Sequence, residues 1–142
     1  MNALARNAFD QPAALASSGS IMAMAAAVAQ ELSERWPFAV ARLRVSLGGP
    51  LSRGDAWEAA AQQVTLGLSG IVDGDERPRV DGVLALQSRM MAIRLAGRKL
   101  VAFHPARDLR ARQDSLSDWV DCLRVEAVGA DGSVLGSVER VI

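Results

Sequence analysis

Residues 122–142 read CLRVEAVGADGSVLGSVERVI, and this stretch decides the fold. Leu123, Val125 and Ala127 alternate with Arg124 and Glu126, which is the two-residue period of a strand with one buried face. The GADG at 129–132 supplies residues that accept positive φ at a turn, and Val134, Val138 and Val141 return beyond it. The stretch is expected to form a β-hairpin.

A second strand is read upstream in FAVARLRVSL (38–47), where Ala39, Ala41, Leu43, Val45 and Leu47 alternate with Arg42, Arg44 and Ser46 before GGP stops the run. Ahead of it the period changes. Ile21, Met24, Val28 and Leu32 recur at helical spacing, Ser20 is a suitable N-cap, and Pro37 disfavours helical geometry at Trp36. Residues 1–19, with Pro12 and a Ser/Gly end, read as an N-terminal arm.

After the first strand, Asp55 and Glu58 can cap a short helix through AWEAAAQQ, and Val64, Leu66 and Leu68 resume a two-residue period. DGDERPRVDG (73–82) reads as a loop and VLALQSRMMAIRL (83–95) as a bent or bulged strand. AGRK (96–99) turns the chain into LVAF, and HPARDLRARQDSLSD (104–118) reads as a polar connection. The expected fold class is α+β: a mostly antiparallel β sandwich or small barrel, residues 20–142, with one main N-terminal helix.

A chain of 142 residues with 50% apolar content can bury the core of one domain without disulfides or metal. Sixteen basic and sixteen acidic residues cancel, which argues against a main task of neutralising nucleic-acid phosphates or an anionic membrane. One cysteine, Cys122, allows no internal disulfide and fits a reducing compartment. IMAMAAAVAQ (21–30) has the length of a secretory h-region, but only Arg6 is basic upstream and Asp10 intervenes, so an unexported protein is expected. The run is also too short to span a bilayer.

No motif carries recognisable chemistry. His104 is the only histidine, and without a second ligand or a nucleophile partner it forms neither a zinc site nor a triad. Cys122 lies on one strand face and reads as a small buried hydrophobe. DGDERP begins like a calcium loop, but Arg77 and Pro78 stand where a ligand and the turn glycine belong. RGD at 53–55 is a chance tripeptide in which Asp55 serves as a cap, and the glycine runs match no nucleotide fingerprint. No catalytic residue, cofactor or metal is expected.

The layout of charge is more informative. From Arg89 to Arg112 there are seven basic residues (Arg89, Arg94, Arg98, Lys99, Arg107, Arg110, Arg112) against Asp108, which is plus six. From Gln113 to Ile142 there are six acidic residues (Asp114, Asp118, Asp121, Glu126, Asp131, Glu139) against Arg124 and Arg140, which is minus four. Either the signs meet inside one subunit, or the subunit has complementary faces suited to head-to-tail contact. On the second reading the contact residues are Arg94, Arg98, Lys99, Arg107, Arg110, Arg112, Asp114, Asp118 and Asp121.

The order of helix, β core, long polar connection and terminal V-x-A-V-G-A-D-G-S-V-L hairpin (125–135) resembles the small head-tail joining proteins of tailed phages, over residues 20–142. That resemblance implies a non-enzymatic homo-oligomeric ring at the portal-tail neck, as stopper or tail terminator. It also implies neck or tail proteins as partners, non-specific proximity to DNA, no membrane, and a place in a virion assembled in the host cytoplasm. The sequence departs from the family in DSLSDWVD (114–121), which has no glycine where a G-D pair precedes an aromatic. The alternative is a small cytoplasmic bacterial adaptor or regulatory binding module. An enzyme would have to work with carboxylates such as Asp73, Asp75 and Asp81.

Overall fold

The computed structural model describes residues 13–112 and 121–141. Helix α1 spans Ala13–Arg35, so it begins seven residues ahead of Ser20; residues 13–19 belong to a helix, and residues 1–12 lie outside the described part. Ile21, Ala25, Val28, Ala29 and Leu32 are fully buried and Met24 only partly, so the apolar stripe runs through Ala25 in place of Met24. Trp36 still donates its amide to the Leu32 carbonyl, and Pro37 stops the helix there.

The first strand, β1, is Arg42–Gly48, with Leu43, Val45 and Leu47 buried as their alternation requires and Ala39 exposed outside it. Helix α2 spans Ala56–Leu68 and absorbs Val64, Leu66 and Leu68, which had read as a strand. The physical reason is continuity: no breaker separates AWEAAAQQ from VTLGL, and Ala60, Ala61, Val64 and Leu68 form one buried helical stripe. Asp55 stands at the N-cap, but its side chain makes no capping bond. Gly67 sits where α2 crosses α1, and a Cβ there would lie 2.3 Å from the Met22 carbonyl oxygen.

Helix α3, Arg77–Met90, replaces the front of the expected long strand and the end of the expected loop. Pro78 in the first turn suits a helix start, and Val80, Val83 and Leu84 pack at helical spacing against a small cluster of Met22, Leu66 and Ile71. Met91, in a left-handed conformation at φ 50°, ends the helix and starts strand β2, Ala92–Leu95. Strand β3 is Lys99–Ala102, helix α4 the single turn Pro105–Asp108, and β4 Leu109–Ala111, so the polar connection contains both a helical turn and a strand.

The terminal hairpin forms as read: β5 is Cys122–Val128 and β6 Val134–Val141. Ser133 donates from its amide and hydroxyl to Asp131 Oδ1 at 3.0 and 2.7 Å, and Gly132 takes φ 88°. Those bonds hold Asp131 below the ordinary aspartate pKa.

The six strands form one mixed sheet in the order β2-β3-β1-β5-β6, with β4 also paired to β1. The α+β class holds, but the expected mostly antiparallel sandwich or small barrel is replaced by one open mixed sheet with two parallel and three antiparallel pairings, and by four α-helices among the described residues. The inward side chains of β1 and β5 share one core with α1 and α2. Parallel pairing arises because β3 and β4 run along the same side of β1, Arg42 opposite Ala102 and Val45–Leu47 opposite Leu109–Ala111, interrupted by α4. No helix among the described residues is long and apolar enough to cross a membrane.

Candidate functional site

Because one face of the sheet carries the core, the other collects the polar half of each alternation. Arg42, Arg44 and Ser46 project there from β1, with Glu126 of β5 opposite Arg44 and Arg110 of β4 opposite Ser46. Arg107 and Asp108, from the α4 turn, close one end. The result is a polar cleft of about 410 Å³ lined by four arginines, two carboxylates and the Ser46 hydroxyl.

Asp108 organises this cleft. Its side chain is fully buried, and Oδ1 accepts from Arg42 Nε at 3.0 Å and Nη2 at 2.6 Å. Oδ2 accepts from Arg107 Nε at 2.9 Å and from the His104 amide at 3.0 Å. Burial pushes the carboxyl pKa up, but hydrogen bonds from Arg107, Arg42 and the His104 amide outweigh it and hold the group below the usual aspartate range. Asp108 is therefore ionised and fixes two guanidinium planes. Arg44 and Arg110, exposed, make no ion pair or side-chain hydrogen bond among the described residues. Glu126 lies 3.7 Å from Arg124.

The α4 turn also borders a second groove of about 400 Å³ on the helix side, where His104, Pro105 and Ala106 face Trp57 and Glu58 of α2 and Leu84 and Ser88 of α3. His104 Nδ1 accepts from the Ala106 amide at 3.1 Å, so the imidazole caps its own turn. Ser88 and Glu58 line the same groove, and neither hydrogen bonds to His104. Cys122 is buried, with Arg112 Nη1 3.8 Å from its sulfur. Asp73, Asp75 and Asp81 do not make a carboxylate pocket: Asp75 accepts from the Val72 amide and Arg79, and Asp81 pairs with Arg77. No cluster of three His, Cys, Asp or Glu residues among those described could hold a metal.

The nine residues read as a contact set fall in different places. Arg94, Arg98 and Lys99 cluster at the β2–β3 hairpin, where Lys99 donates to the Phe38 carbonyl and Arg94 to the Arg98 carbonyl. Arg107 is committed to Asp108, and Arg112 to Glu139 of β6, so part of the basic run meets acid within one subunit. Arg140 likewise pairs with Glu31 of α1. Arg110 faces the cleft, Asp121 has a partner of its own, and Asp114 and Asp118 lie outside the described residues. Sequence reading missed Arg42, Arg44 and Asp108 as a group; the available signal was a lone aspartate within a run of seven basic residues.

The surface is also uneven at the two ends of the sheet. Beyond β5, β6 pairs with no further strand among the described residues, and its Val134 and Val141 are exposed. At the other end the basic β2–β3 hairpin lies beside Phe38, 86% exposed, with Leu100 also exposed and α3 packed along β2. In comparisons with known proteins, no family model and no curated protein matches the chain.

Proposed function

We propose that the chain is a non-enzymatic structural subunit that associates with copies of itself head to tail, forming a ring at the head-tail neck of a tailed phage or phage-like particle. One observation carries the reading: the two ends of the sheet present unlike surfaces. The β6 end is an eight-residue strand whose outer edge pairs with no strand among the described residues, and it carries two exposed valines. The β2–β3 end is basic and bears exposed Phe38 and Leu100. An open edge is a template for further backbone pairing. Unlike surfaces on one subunit suit a heterologous contact, which closes into a ring when the rotation permits. The neck assignment rests on the resemblance of the leading helix and the terminal hairpin at 125–135, with neck or tail proteins as further partners and the virion as location. Electron microscopy of the purified chain at low salt tests it. Closed rings are expected; monomers alone at every concentration, with and without portal and tail proteins, would pass the assignment to a cytoplasmic adaptor or regulatory module.

A further inference from the structure

The geometry points to the cleft on the open face of the sheet as a binding site for a phosphate group, with Arg44 and Arg110 as its free ligands and Arg42 and Arg107 as its oriented wall. The inference is independent of whether the chain forms rings. Four guanidiniums less the Asp108 and Glu126 carboxylates leave a charge of plus two in about 410 Å³. A phosphate monoester carries about −1.5 to −2 at neutral pH and three acceptor oxygens, so one such group neutralises the cleft. A single carboxylate would leave it charged, and a nucleic-acid backbone, with one charge per phosphate, would need a longer basic track than the four arginines of this cleft provide.

The buried partner separates this cleft from an ordinary charged surface. Asp108 accepts three hydrogen bonds from Arg42 and Arg107 and is itself anchored by the His104 amide, so two of the four guanidiniums are held before any ligand arrives. Preorganised guanidinium forks give bidentate contacts to phosphate oxygens at low entropic cost. Arg44 and Arg110 have no competing partner among the described residues, and Ser46 adds a hydroxyl between them.

Thermal unfolding of the full chain, at fixed ionic strength in chloride, is to be followed against inorganic phosphate, glycerol 3-phosphate and a DNA duplex with hydroxyl ends. A saturable rise in Tm with either small phosphate is expected from preferential binding to the folded state. Tighter binding of glycerol 3-phosphate assigns an organic phosphate as the source, and equal or weaker binding assigns the free ion. Arg44→Gln and Arg110→Gln should each weaken the apparent affinity about tenfold. The pair Arg94→Gln with Arg98→Gln, on the far hairpin, should leave it unchanged. All four arginines are exposed, so these variants fold and the comparison reads binding. No saturable shift, a shift that survives both cleft substitutions, or a response to the duplex alone would overturn the site.

Discussion

Arg42 of β1 holds the buried carboxylate of Asp108, 66 residues later in the chain, with Nη2 2.6 Å from Oδ1. This contact ties the α4 turn to the open face of the sheet and gives the cleft its shape. Because the folded pKa of Asp108 is depressed, its stabilisation is fully present above the unfolded value of 3.8 and is lost as pH falls through the lower folded value. Asp108→Asn should cost about 2 kcal/mol at neutral pH, since both arginines keep some access to water when their partner is weakened. In urea titrations the gap between wild type and variant should narrow below pH 3.8. A gap that is constant from neutral to strongly acidic pH would contradict the ionised assignment.

Gly67 and Gly82 should respond to alanine with opposite signs. At Gly67 the new methyl would meet the Met22 carbonyl at 2.3 Å and the Ala25 methyl at 2.7 Å, so α1 and α2 must separate. About 2 kcal/mol of destabilisation follows from such overpacking. At Gly82, inside α3, nothing lies within 4 Å, and alanine should stabilise by about 0.7 kcal/mol through helix propensity and unfolded-state entropy. A Gly67→Ala denaturant midpoint that stays unchanged or rises would refute the close crossing, and a Gly82→Ala midpoint that falls would refute the open site on α3.

Two positions on α1 separate burial from periodicity. Val28 is fully buried, so Val28→Asp strands a charge and should cost roughly 4 kcal/mol or prevent folding. Met24 is partly exposed, so a carboxylate there reaches water and Met24→Asp should cost roughly 1 kcal/mol. Circular dichroism melts of the two variants decide it; equal losses would place the stripe differently.

Trp36 and Gly136 offer a further check on the sheet end. A Cβ on Gly136 would lie 2.3 Å from the Trp36 ring, so the indole of the α1 terminus lies directly against β6. Gly136→Val should displace the indole and raise its solvent exposure. Tryptophan fluorescence should shift to the red, with a loss of about 2 kcal/mol. An unchanged spectrum would show that the ring does not rest there.

Strand β1 and the terminal hairpin were legible because each buries one face, and strict alternation records that directly in Leu43, Val45 and Leu47 and in Leu123, Val125 and Ala127. The C-terminal end of α2 and the whole of α3 were misread for one shared reason. Short apolar runs such as Val64-Leu66-Leu68 and Leu84-Leu86 satisfy a two-residue and a helical period at once, and only their neighbours Ala60, Ala61, Val80 and Val83 decide between them. The parallel pairing of β3 and β4 with β1 leaves no trace in local pattern, because it depends on which side of β1 the returning chain takes. The cleft was half visible: Arg42 and Arg44 were placed on the outer face, but their meeting with Asp108 is a tertiary contact that no spacing encodes.

Self-association through the β6 end is tested most directly by the mass of the chain in solution. Light scattering across protein concentration, at low and high salt, should be run on wild type and on Val134→Lys with Val141→Lys, which places charge at both exposed valines of the open edge. The wild type should be a defined multiple of the 15.1 kDa chain at low salt, weakening as salt screens the basic hairpin over about 8 Å, and the double variant should be a folded monomer. A wild type that stays at the monomer mass at high concentration and low salt, or a double variant that assembles as well as the wild type, would contradict the account.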